Sequence, residues 1–133
     1  MVQTDISQLN AETADWRQIL RNYRDEFSEC KRLLQDNCKQ PLTKDQLQDV
    51  EHFHNQFHIQ LINIHDVKQD IKNHERKVQH ELANSDTLPD LLYEEHERLL
   101  NEFLGLENTL QEVRGSFNNF INATNSWYSL LTH

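Results

Sequence analysis

The chain has 133 residues, with 22 acidic and 13 basic side chains and a formal net charge of −9. Nucleic acids and anionic bilayers are bound through clustered Lys and Arg, so this balance argues against nucleic acid and against a membrane as partners. Only two Gly and two Pro leave little material for β-turns, and no apolar run approaches membrane-spanning length, so an all-α protein is expected. The N-terminus shows no charged-then-apolar leader pattern, which makes a cytoplasmic location the default expectation.

Residues 1–133 are expected to form a single helical domain, long enough to bury about two-thirds of the unfolded surface. The first helix is predicted over about residues 5–38. Its apolar seam runs Leu9, Thr13, Trp16, Leu20, Tyr23, Phe27, Cys30 and Leu34 at alternating three- and four-residue steps, widened by Ile6, Ile19 and Leu33. Cys30 falls on this seam and reads as a buried free thiol. Cys38, about 12 Å further along the same helix, is out of disulfide reach. Gln40-Pro41-Leu42 is too short a connection for anything but an antiparallel reversal.

The second helix, predicted over 43–84, organises the rest. Thr43 with Gln46 forms a capping box at its start, and Asn84-Ser85-Asp86 followed by Pro89 ends it. Its seam is read as Leu47, Val50, His54, Phe57, Leu61, Ile64, Lys68, Ile71, Glu75, Val78 and Leu82. No Gly or Pro interrupts it, and at 1.5 Å per residue it spans about 60 Å. The third helix, predicted over 88–131, has the seam Leu92, His96, Leu99, Phe103, Leu106, Leu110, Val113, Phe117, Phe120, Thr124, Trp127 and Leu131. Gly115-Ser116 is the expected place for a bend, because Gly costs a helix about 1 kcal/mol relative to Ala. Trp127-Tyr128-Ser129-Leu130-Leu131 is apolar on more than one face, which suggests a bend or an interface.

Three heptad segments and two short connections define an elongated antiparallel up-down-up three-helix bundle with coiled-coil-like heptad packing. Reflection about residues 40–41 places Phe27 opposite His54, Tyr23 opposite His58 and Trp16 opposite His65. Reflection about residue 86 places Gly115 opposite Phe57, Arg114 opposite His58 and Glu107 opposite His65, a Gly there letting the backbones close over the ring. In helix number and order the pattern resembles spectrin-type repeats and the three-helix amino-terminal domain of syntaxins. No motif of either family is present, so the resemblance assigns no role.

Eight histidines are the compositional peculiarity, five of them between His52 and His74. His54, His58 and His65 share one helix face, within about 40°. His54 and His58 have the i, i+4 spacing with which two imidazoles reach one ion, and Glu51 adds a carboxylate in a Glu-x-x-His unit, so a metal-binding bundle using Glu51, His54 and His58 is one reading. Against it, His65 lies about 16 Å from His54 along the axis, and no second Glu-x-x-His exists. The other reading makes these histidines seam residues paired with Tyr23, Arg114 or Glu107, or a pH-sensing set. Glu94, Glu95, Glu97 and Glu102 read as a solvated face favoured by the helix dipole.

Nucleophile elbows, phosphate-cradling Gly loops and paired cysteine ligands are all absent, and no cofactor is implied. The expectation is therefore a non-enzymatic scaffold or protein-interaction module, acting on a protein partner or by self-association.

Overall fold

The computed structural model describes residues 6–37 and 42–123. It contains three helices, α1 (Ile6–Asn37), α2 (Lys44–Asn84) and α3 (Asp90–Ala123), and no strand among the described residues. α2 packs against both neighbours, whereas the backbones of α1 and α3 approach each other less closely. This is the expected up-down-up bundle. No helix among the described residues is long and apolar enough to cross a membrane.

The capping box at the start of α2 forms as expected: Gln46 N donates to Thr43 Oγ1 at 3.1 Å, and Thr43 N donates to Gln46 Oε1 at 3.0 Å. Two of the orphan amides of the first turn are thereby satisfied. α2 ends at Ser85 in extended backbone, and α3 starts directly after Pro89. Leu88, between the two, is buried and plugs that end of the bundle.

The seam of α1 is buried as predicted, Cys30 alone being half-buried. On α2 the pattern is wider than one seam. Val50, Phe57, Ile64, Ile71 and Val78, seven residues apart, are all buried. Beside that column Phe53 and His74 face α3, while Glu75 faces α1. His54 and Leu61 are only half-buried, and Phe53, Gln60 and His74 take core positions the sequence reading left out. A helix held between two neighbours has two contact columns, and a single seam samples them alternately.

The α2–α3 register falls within a turn of the reflection about residue 86, with Phe117 against Phe57 and Phe53 at 4.9 and 5.4 Å between ring centroids. The α1–α2 register does not fall where expected: Lys31, not Tyr23, meets His58, and Phe27 meets Phe57 rather than His54.

Further expectations fail. α3 runs through Gly115-Ser116 as continuous helix, and Gly115 is exposed with nothing within 4 Å of where a Cβ would stand. It does not let the backbones close over Phe57. His65 is exposed; Trp16 packs on His96 and Phe103 instead, and Arg114 pairs with Glu26. The sites Cys38, Thr124 and 127–131 lie outside the described residues.

The buried apolar side chains form two clusters. The larger runs from Trp16 and Leu99 through Phe27, Phe57 and Phe117. The smaller consists of Leu9, Val78, Leu88 and Leu92, at the end where α2 turns into α3. A layer of buried polar groups lies between them.

Candidate functional site

The polar layer is built from one short stretch of each helix: Glu12, Thr13, Trp16 and Arg17 on α1, His74, Glu75 and Lys77 on α2, and Glu95, His96 and Arg98 on α3. His74 and His96 are 1% and 2% exposed, with ring centroids 5.6 Å apart. His96 also lies against the Trp16 ring, 4.8 Å between centroids.

Each pair of helices is joined here by a polar link. His96 Nε2 on α3 is 2.7 Å from Glu12 Oε2 on α1. His74 Nδ1 on α2 is 2.6 Å from Glu95 Oε1 on α3. Thr13 Oγ1 on α1 donates to Glu75 Oε2 on α2 at 2.9 Å, and Arg17 Nε lies 2.8 Å from Glu75 Oε1. That last contact is an ion pair by distance, but the N–H is not directed at the oxygen, which leaves Arg17 Nε without a hydrogen bond. The three links close a circuit around the bundle. A core layer of this kind penalises shifted registers, because a slip by one heptad would bury each carboxylate or imidazole unpaired.

The carboxylates fix the tautomers. A carboxylate only accepts, so His74 donates from Nδ1 and His96 from Nε2. The other ring nitrogens, His74 Nε2 and His96 Nδ1, are buried without any hydrogen-bond partner. Glu95 carries two further cations: Lys77 Nζ donates to Oε2 at 2.9 Å, and Arg98 Nη2 is 3.6 Å away. Burial works to raise its pKa, but hydrogen bonds from Lys77 and His74 outweigh burial and hold the carboxyl below its ordinary value. A groove lined by Asp70, Asn73, Lys77, Glu95, Arg98 and Glu102 runs outside this point.

An imidazole on a carboxylate is also the arrangement of a general base, but that role needs a reactive proton within reach. Both rings are enclosed by the bundle, and the hydroxyl of Thr13 in the layer is engaged with Glu75. The geometry holds charge and register.

The residues singled out from sequence lie elsewhere. On α2, Glu51 and His58 are exposed and His54 is half-buried. His58 Nδ1 is 3.1 Å from Lys31 Nζ, so it accepts a hydrogen bond that a metal ion would have to displace. Among the described residues no three His, Cys, Asp or Glu side chains are arranged to hold a metal ion. The acidic cluster divides: Glu94, Glu97 and Glu102 are exposed as expected, while Glu95 belongs to the polar layer. His96 was legible as a seam residue. His74 was not, because Glu75 beside it satisfied the same periodicity.

No protein-family model matches the chain, and neither a curated protein nor a solved structure matches it significantly.

Proposed function

We propose that the chain is a non-enzymatic helical scaffold that meets a protein partner, or a second copy of itself, through the outer face of α2. The observation that carries this is Ile59 and Ile62, one turn apart on α2 and 46% and 49% exposed. Two β-branched aliphatic side chains left in water on adjacent turns represent apolar area that association would bury, at about 25 cal/mol per Å². Non-enzymatic action is supported by the candidate site itself, where, among the described residues, the imidazole rings paired with Glu95 and Glu12 are enclosed by the bundle.

A photo-crosslinking residue at position 62, compared with one at the exposed position Lys72, tests the reading. Protein adducts from position 62 that disappear on Ile59→Glu are expected. Equal adducts from both positions, or catalytic turnover by the purified chain, would overturn it.

A further inference from the structure

The chain is acidic, yet its cations are not spread evenly. Six of its 13 basic side chains gather along the groove between α1 and α2: Arg17, Arg21 and Arg24 on one side, Lys68, Lys72 and Arg76 on the other. Two carboxylates stand among them, and both are taken: Glu75 lies 2.8 Å from Arg17 Nε, and Asp25 lies 3.0 Å from Arg24 Nη2. Exposed and buried groups together, six cations against two carboxylates leave the groove four charges positive. Among the described residues, Arg21, Lys68, Lys72 and Arg76 form no ion pair. Lys68 is 9% exposed, and burial, followed by Arg24, Lys72 and Arg21, lowers its pKa against the opposing pull of Asp25. Its buried stem holds the ammonium beside other cations. Like charges held together cost the isolated fold stability, and carboxylates brought from outside remove that cost.

The complementary charge stands on α3. Asp90, Glu94 and Glu97 are exposed and, among the described residues, form no ion pair. They follow one another at steps of four and three residues, the same steps that separate Arg17, Arg21 and Arg24. Each row is therefore about 10.5 Å long and falls within about 60° of its helix. The acid row lies on the side of α3 opposite its buried Leu92 and Leu99, whereas the groove at Arg17, Lys72 and Arg76 is lined by residues of α1 and α2 alone. The two faces point away from each other in one molecule, so they can meet only between molecules.

We propose that the chain self-associates head to tail, the Asp90, Glu94 and Glu97 row of one copy seated in the α1–α2 groove of the next. Faces on opposite sides of a copy do not make a two-fold dimer; they make an open or ring-closed series. The net charge of −9 sets whole copies against each other. At about 0.15 M salt, however, the screening length is about 8 Å, shorter than the distance between bundle centres and longer than the contact between paired side chains. Exposed charge pairs are individually weak, so the assembly belongs to concentrations of about 0.1 mM and above, and at micromolar dilution position 72 stays uncovered. The contact is separate from the Ile59–Ile62 face and survives Ile59→Glu.

Sedimentation velocity of the full chain tests it. At about 0.15 M salt the mean mass should rise with concentration up to about 0.5 mM, and it should return to that of the monomer in about 1 M salt, where the screening length is about 3 Å. Arg24→Glu, Lys72→Glu and Arg76→Glu in one variant reverse the groove, and Glu94→Lys with Glu97→Lys in another reverse the row, all at exposed positions. Each variant alone should associate at least about tenfold more weakly than the wild type. Their equimolar mixture should associate again, because the native row of the first meets the native groove of the second. Should either variant fail to fold, Lys72→Glu and Glu97→Lys replace them as the pair. A wild-type chain that stays monomeric at about 0.5 mM overturns the proposal, and poly-glutamate bound by that monomer would give the groove to a foreign acidic partner. Undiminished association of either variant, a mixture of folded variants no heavier than its parts, or loss of wild-type association on Ile59→Glu would overturn it as well.

Discussion

Arg114 of α3 holds Glu26 of α1 with two hydrogen bonds, from Nε at 2.8 Å and from Nη2 at 2.6 Å, while its guanidinium carbon sits 4.7 Å above the Tyr23 ring. The two helices keep their backbones apart, so this side-chain bridge does at mid-bundle what the polar layer does at one end. A planar fork suits both halves of the contact, since it can face a carboxylate edge-on and lie flat on an aromatic ring.

Arg114→Lys keeps the charge and loses the fork. Both partners are 39% exposed, so solvent screens the pair and the expected loss is small, about 0.5–1 kcal/mol. Urea denaturation at low and high salt checks it: the difference between the two proteins should shrink with salt. A loss that ignores salt would mean that the contact with Tyr23, not the charge pair, carries the effect.

Gly105 and Gly115 both lie inside α3, with open space where a Cβ would stand. Neither has a positive φ. With no close approach and no special backbone conformation to serve, each only adds unfolded-state freedom. Gly105→Ala and Gly115→Ala should each stabilise by about 0.5–1 kcal/mol, and about additively at this separation. Thermal unfolding of the two single variants and the double variant measures this. A lower melting temperature for either Ala variant would show that the glycine serves a contact absent from the monomeric bundle.

The helices were legible because their signals are local: a capping box at Thr43, a Pro at 89, and apolar steps of three and four. The polar layer was only partly legible, because it depends on which heptad of one helix meets which of the next. Trp16 and His96 were both on predicted seams, yet their contact required the α1–α3 offset, which no connection length specifies. His74 was hidden by a second cause. The column facing α3 and the column facing α1 differ by one residue on α2, and Ile71 and Val78 fit either one. Periodicity finds a buried stripe but cannot divide it between two neighbours.

Cys30 supplies a test of packing by reactivity. Burial pushes its thiol up to about 11, with help from Glu26 and Glu29 and opposed by Arg114. The thiolate is the nucleophile, so at about pH 8 disulfide exchange with an aromatic disulfide should run about 100-fold slower than for an unhindered cysteine peptide. The measurement is made on a chain carrying Cys38→Ser. Adding Arg114→Ala removes the one opposing charge and should slow the reaction further. A rate equal to that of the free peptide would place Cys30 outside the core.

The acid side of the stability profile is assigned to Glu95. Its side chain is 16% exposed, and its net pKa shift is downward, so its ionised form is favoured in the fold. A depressed carboxyl contributes stability that is fully present above the unfolded value of about 4.3 and disappears as pH falls through the folded value. Glu95→Gln keeps an oxygen for His74 Nδ1–H but removes the charge that Lys77 and Arg98 surround. The expected cost is about 1–2 kcal/mol near pH 7, the range for hydrogen bonds to a charged group reduced by the exposure of Lys77. It should shrink steadily between about pH 5 and pH 3, where Glu95 itself becomes protonated and the two proteins carry equivalent neutral groups. Urea midpoints for both proteins across that range decide the point. A cost that persists unchanged at the acid end would assign the loss to the shape of the amide and not to the charge, and a cost of zero near pH 7 would mean that burying the carboxylate cancels what His74 and Lys77 supply.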